Sequence, residues 1–263
     1  MTDAANDAAL ARRLLGMLDL TTLNDSDDAQ VVRALAANAA TPVGHVAALC
    51  TWSRLIGAAL DSLAGTGVPV AAVTNFPAGE PDVNGAAAQS AAAVAAGAAE
   101  IDVVFPWRAF LAGDAATALA VVRACREACG TQARLKVILE TGQLGTAVRI
   151  REAAELAIVG GAHFLKTSTG KTQPGATLMA AQVMLDAIAH AQTRGVRVGF
   201  KASGGVRTMA DAASYLAAYE HRFGVGSAQP QVFRIGASQL VHELLAVAGG
   251  TGAIEGSAAA AAY

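Results

Sequence analysis

Eight short runs rich in β-branched residues recur along the chain, and their rhythm limits the fold more than any other feature. They are Leu18 to Thr21, Val43 to Cys50, Val68 to Phe76, Ile101 to Phe105, Leu135 to Glu140, His163 to Ser168, Val198 to Ala202 and Val232 to Ile235. Such runs read as strands, and at a spacing of about 25 to 35 residues each leaves room for a helix behind it. The alanine-rich stretches between them, such as Gly85 to Ala99 and Ala115 to Cys129, favour helix by propensity. Repeated strand and helix units imply parallel pairing, because a parallel strand needs a crossover of a dozen or more residues. Eight units in 263 residues predict an α/β fold, a (β/α)8 TIM barrel. The competing doubly wound sheet needs a glycine fingerprint after an early strand. Gly65 and Gly67 precede a strand, and Val70 stands where the third glycine belongs. No Pro/Gly/Ser linker divides the chain, so a single barrel domain is expected over residues 1–248. The tail of residues 249–263, ending in Tyr263, is expected to be loosely held.

Composition removes several functional classes. Hydrophobic residues make up 54% and charged residues 15%, which excludes disorder. Net charge is −2 with no basic block, so nucleic acid gains no electrostatic support. Mean hydropathy is +0.41, but alanine supplies much of it and no run of about 18 strongly apolar residues occurs, so no membrane span is expected. Asp3, Asp7, Arg12 and Arg13 open the chain in the wrong order for a secretory signal, which makes the cytoplasm the expected compartment. Three cysteines cannot form a full disulfide set, and Cys125 and Cys129 read as small residues packing a helix. The five histidines lack ligand spacing, so no metal is expected. His163, before the sixth run, reads as a cap on the barrel floor. Gly170-Lys171-Thr172 imitates the end of a P-loop, but Leu165 occupies the position of its first glycine.

Barrel enzymes place reactive groups at the C-terminal ends of strands. Three charges interrupt apolar runs there: Asp102 in E-I-D-V-V-F-P, Lys166 in H-F-L-K-T-S-T-G-K and Lys201 in V-G-F-K-A-S-G-G. A buried charge is expensive unless paired or used. A structural ion pair would explain one lysine and leave the other ammonium uncompensated. Lys136, on the fifth run, reads as a structural cation with Glu140 as its partner. A second ammonium lowers the proton affinity of its neighbour, and a neutral lysine in a water-poor site can attack a carbonyl. The carboxylate and the second lysine would then move protons. Gly204 and Gly205 follow the seventh run and Gly236-Ala237-Ser238 the eighth, the two loops where barrels commonly hold phosphate.

These residues lie in segments that closely resemble the deoxyribose-phosphate aldolase family of class I aldolases. The likeness is carried by L-D-L-T-T-L from Leu18, E-I-D-V-V-F-P from Glu100, F-L-K-T-S-T-G-K from Phe164, G-F-K-A-S-G-G-V-R from Gly199 and R-I-G-A-S from Arg234, and it covers essentially the whole chain. The resemblance implies retro-aldol cleavage of 2-deoxy-D-ribose 5-phosphate to acetaldehyde and D-glyceraldehyde 3-phosphate, without cofactor or metal. Lys166 would form the Schiff base, with Lys201 perturbing it and Asp102 relaying protons. Asp19 and Thr21 would bind sugar hydroxyls; Cys50, Thr169 and Lys171 would lie near substrate. Gly204, Gly205, Gly236 and Ser238 would hold phosphate, and Tyr263 would close over the site and assist proton exchange. The partner implied is a phosphosugar, and a homodimer fits the family. Gln239 stands where relatives carry a second serine, and Ser203 adds a hydroxyl beside the glycine pair. The competing reading is another phosphosugar enzyme on the same barrel, an isomerase or a transaldolase-like protein.

Overall fold

The computed structural model describes residues 3–249. Eight parallel strands close into a barrel: β1 (Leu18–Thr21), β2 (Ala48–Trp52), β3 (Val70–Thr74), β4 (Glu100–Val104), β5 (Arg134–Ile138), β6 (Phe164–Lys166), β7 (Gly199–Ser203) and β8 (Phe233–Ala237). Each pairs with its neighbours in sequence, and β8 returns to β1. The expected TIM barrel is therefore formed, with all eight strands inside or beside the runs read from sequence. One run divides. In Val43 to Cys50, Gly44–His45 pairs antiparallel with Ala40–Thr41, and only the segment from Ala48 enters the barrel.

Helices α1 (Asp3–Leu15), α2 (Ala29–Ala36), α3 (Ile56–Ser62), α4 (Val83–Ala95), α5 (Ala115–Cys129), α6 (Ala147–Val159), α7 (Leu178–Gln192), α8 (Met209–Phe223) and α9 (Leu240–Val247) surround the strands, with short turns of helix at Trp107–Leu111 and Thr141–Leu144. Short polar side chains start most of them: Asp28, Asp82, Asp114, Thr146 and Thr177 each accept a first-turn N–H. Thr208 and Asp211 do so reciprocally at α8. Cys125 and Cys129 are buried on α5 as packing residues. His163 accepts the Leu135 N–H through Nδ1 at 2.9 Å, at the N-terminal end of the barrel.

The strands alternate strictly. Leu18, Leu20, Leu49, Val70, Ala72, Ile101, Val103, Leu135, Val137, Leu165, Phe200, Ala202, Phe233 and Ile235 belong to the main core shared with the helices. Their neighbours face the barrel axis. On β2 and β3 those neighbours are apolar, and Ala48, Cys50, Ala71 and Val73 join Leu23 in a separate small cluster. On β1 and β4 to β8 they include Asp19, Glu100, Asp102, Lys136, Lys166, Lys201 and Arg234, all buried. A slip of one residue would exchange the two faces.

Candidate active site

Register places the charges. Asp102 on β4 is level with Lys136 on β5, Lys166 on β6 with Lys201 on β7, and Lys201 with Arg234 on β8. Asp102 is the hub. Its Oδ1 receives Lys136 Nζ at 2.7 Å, and its Oδ2 receives Lys201 at 2.7 Å and Lys166 at 3.0 Å. Lys136 also meets Glu100 at 2.6 Å and Asp19 at 3.6 Å. Lys201 reaches Asp19 at 2.6 Å, and Arg234 bridges Asp19 at 2.5 Å and Glu100 at 2.8 Å. Four cations thus share three carboxylates, and Lys166 is the cation with one carboxylate contact.

These contacts settle the proton positions of the supporting groups. Burial alone would favour the neutral acid at Asp102, but Lys136, Lys201 and Lys166 hold it well below the usual carboxylate range. Asp19 is lowered too, because Lys201, Arg234 and Lys136 outweigh its burial. Burial pulls Lys201 toward neutrality, yet Asp102 and Asp19 keep it above its ordinary value. Lys136 is likewise raised against its burial by Asp102, Glu100 and Asp19. Lys201 and Lys136 therefore rest as ammonium groups.

Two glycines make room for this set. A Cβ at Gly236 would stand 3.0 Å from Lys201 Cε and 2.8 Å from Ser203 Cβ; one at Gly199 would stand 2.5 Å from the Phe164 ring. Gly236 therefore lies within β8, which runs to Ala237, and not in the loop beyond it as the sequence suggested. Its missing side chain gives Lys201 passage to Asp102.

The expected pair of Lys136 and Glu140 does not form. β5 ends at Ile138, and Glu140 takes a left-handed conformation, φ 56° and ψ 57°, that turns it away. Its carboxylate receives the Thr169 hydroxyl at 2.5 Å and the Thr169 N–H at 3.2 Å. Burial pushes Glu140 above the ordinary carboxyl value despite these bonds. Glu140 thereby ties the loop after β6, three residues beyond Lys166, to the end of β5.

The remaining candidates surround this centre. The buried Cys50 thiol is 3.9 Å from Asp102 Oδ2, and burial together with that carboxylate raises its proton affinity. Thr21 donates to the Asp19 carbonyl at 2.7 Å. Lys171 is exposed, one residue past Gly170. Gly204 and Gly205 follow β7 with φ of 88° and 90°, a conformation suited to glycine. The Gly204 carbonyl receives the Ala176 N–H at 2.8 Å, joining the loops after β6 and β7. Ser238 is half-buried between β8 and α9, and Ser203 donates to the Ser168 carbonyl at 2.6 Å. Tyr263 lies outside the described residues. Glu100 and Arg234 were not singled out by the sequence reading, although both complete the ion network.

Residues 13–240 match the profile described as DeoC/LacD family aldolase. The chain belongs to this aldolase family. Among solved structures, the aldolase is 30% identical to a candidate deoxyribose-phosphate aldolase from Coccidioides immitis, with a TM-score of 0.77 over 89% of this chain and 86% of that one. A candidate deoxyribose-phosphate aldolase from Toxoplasma gondii ME49 shares the fold at a TM-score of 0.88 and 24% identity, over 95% and 97% of the two chains. A tetrameric deoxyribose phosphate aldolase from Aeropyrum pernix shares it at 0.72 and 22%, over 93% and 97%. Among the described residues of the aldolase, no helix is long and apolar enough to cross a membrane.

Proposed function

We infer that this aldolase cleaves 2-deoxy-D-ribose 5-phosphate to acetaldehyde and D-glyceraldehyde 3-phosphate through a Schiff base on Lys166. The observation that carries the reading is the arrangement at Asp102. One carboxylate holds Lys201 and Lys136 as ammonium groups and touches, at 3.0 Å, a third lysine that forms no second ion pair among the described residues. A nucleophilic amine needs that isolation, and acid–base chemistry needs the charged neighbours.

In this mechanism the neutral Lys166 amine attacks C1 of the open-chain aldehyde. Asp102 and Lys201 move the protons that turn the carbinolamine hydroxyl into departing water, leaving an iminium. The C2–C3 bond then breaks, its electron pair passing into the enamine as the C3 hydroxyl loses its proton. Glyceraldehyde 3-phosphate leaves; the enamine takes a proton at C2, and water releases acetaldehyde and restores the amine. Asp19, whose oxygens also meet Lys201 and Arg234, and Thr21 bind the sugar hydroxyls. Cys50, Thr169 and Lys171 lie near the sugar, and Gly204, Gly205, Gly236 and Ser238 hold the phosphate, Gly236 also leaving clearance for Lys201. The remote phosphate grip orients the reacting carbons. Tyr263, by resemblance, assists the proton transfer at C2. A homodimer in the cytoplasm fits the same resemblance.

The test is product analysis. Incubation with 2-deoxy-D-ribose 5-phosphate is expected to give acetaldehyde and glyceraldehyde 3-phosphate in equal amounts. An isomerised phosphosugar without acetaldehyde, or full cleavage by Lys166→Ala, would overturn the reading.

A further inference from the structure

Two of the described residues take a left-handed backbone without being glycine: Asn75, φ 51°, and Glu140, φ 56°. Asparagine is a common occupant of that region and glutamate is not. Glycine would enter the conformation at no steric cost, so a glutamate persists there because its side chain is held. Both residues lie just past strands that end at the mouth of the barrel, and both side chains tie down a loop. Asn75 bonds Glu80, in its own loop, and the Val104 carbonyl. The buried Glu140 instead reaches Thr169, in the loop after β6.

The chain after Lys166 is held in two different ways. Up to Ser168 it is fastened without the Glu140 side chain. The Leu139 N–H donates to the Lys166 carbonyl at 2.9 Å and the Thr141 N–H to the Thr167 carbonyl at 3.0 Å. From β7, the Ser203 N–H donates to the Thr167 hydroxyl at 2.9 Å, and that hydroxyl donates to the Ser203 carbonyl at 2.9 Å. From Thr169 onward no regular structure forms until α7 begins at Leu178. Glu140 receives the Thr169 hydroxyl and N–H, and Thr169 Oγ1 accepts the Lys171 N–H at 3.0 Å. Gln143 donates to the Gln173 carbonyl at 3.0 Å, and a Cβ on Gly142 would overlap the Pro174 carbonyl oxygen. At the far end the Ala176 N–H meets the Gly204 carbonyl at 2.8 Å, and a Cβ on Gly175 would overlap that same oxygen. The loop is a bridge with one foot on the end of β5 and the other on the Gly204 turn.

We propose that Glu140 is a positioning residue for the phosphate end of the substrate: it fixes the loop of residues 169–176, and through that loop the Gly204 turn, while the seat of Lys166 stands without it. This deepens the reading of the site as a deoxyribose 5-phosphate aldolase and rests on it. A turn ordered before the substrate arrives spares binding the cost of ordering it. Loss of that order falls on KM more than on kcat.

Steady-state kinetics with 2-deoxy-D-ribose 5-phosphate and with unphosphorylated 2-deoxy-D-ribose test the proposal. Glu140→Ala is expected to raise KM for the phosphorylated sugar about tenfold, the low end for removing a buried hydrogen-bond partner. Its kcat is expected to fall by less than about twofold, and kcat/KM for deoxyribose is expected to match the wild type. Glu140→Gln keeps an acceptor for the Thr169 N–H and is expected to recover most of the wild-type KM. Gly142→Ala pushes the same loop from the Pro174 side and is expected to raise KM for the phosphorylated sugar alone, which carries the test where Glu140→Ala does not fold. Borohydride trapping with acetaldehyde, which has no phosphate, is expected to mark Lys166 in every variant. A folded Glu140→Ala or Gly142→Ala with unchanged KM, with equal losses on both sugars, or without trapping at Lys166 overturns the proposal. Wild-type protein that yields no acetaldehyde from deoxyribose 5-phosphate would instead overturn the activity beneath it.

Discussion

The two faces of the barrel wall are built from alternate residues of the same strands and could hardly differ more. Outside, Ile101, Leu135, Leu165, Phe200 and Ile235 pack against alanine-rich helices in a continuous apolar layer. Inside, their neighbours Asp102, Lys136, Lys166, Lys201 and Arg234 form a buried ionic network. Burying a large aliphatic side chain contributes about 1.5–3 kcal/mol, whereas a buried ion pair is weak support for a fold because desolvation offsets its attraction. The outer layer therefore holds the barrel together, and the proposed chemistry accounts for the inner one. The small apolar cluster on β2 and β3 shows the contrast within the interior itself: Ala48, Cys50, Ala71 and Val73 leave one side of the axis uncharged.

Adjacent substitutions on β4 break this comparison most sharply. Asp102→Asn is expected to lower kcat/KM by about 10²–10⁴-fold, the usual range for a proton-transfer group. Ile101→Ala, one residue away, is expected to cost about 2–5 kcal/mol of stability and to leave kcat intact where the protein is folded. Denaturant melts paired with steady-state rates check both. A smaller effect separates the faces by pH. Asp19 and Asp102 are depressed in the fold, so their stabilisation is present above the ordinary value of 3.8 and is lost as pH falls toward their lowered values. Lys136 and Lys201 are raised, so theirs is complete below 10.5 and is lost as pH climbs beyond it. The contribution of these four groups to Tm is thus expected to be flat from about pH 5 to 10 and to decline on either side. Ile101→Ala should lower that whole curve without reshaping it, whereas the double variant Lys136→Gln/Asp102→Asn should reshape its ends.

Much of this is legible in the sequence alone. The strand rhythm gave the barrel, and with charged residues scarce, Asp102, Lys166 and Lys201 stood out inside apolar runs. Where the reading failed, the missing knowledge was register and backbone conformation. Simple alternation puts Lys136 and Glu140 on one face, but the strand stops at Ile138 and Glu140 turns through a left-handed conformation. Gly236 reads as a loop glycine because the strand Phe233–Ala237 runs past Ile235, and the clearance it leaves for Lys201 depends on the neighbouring strand. Arg234 and Glu100 sit where a strand and its preceding loop meet, and nothing local shows that they close onto each other across the barrel. Glu140's hold on Thr169 had no sequence signal beyond its place after a strand. Both kinds of miss concern partners brought together by the closed sheet.

The central claim is that the isolated lysine, and not either of its gripped neighbours, is the nucleophile. Borohydride reduction in the presence of acetaldehyde, followed by peptide mass mapping, tests it directly. The adduct is expected on the peptide carrying Lys166 and absent in Lys166→Ala; an adduct on Lys136 or Lys201, or none in a fully active enzyme, would contradict it.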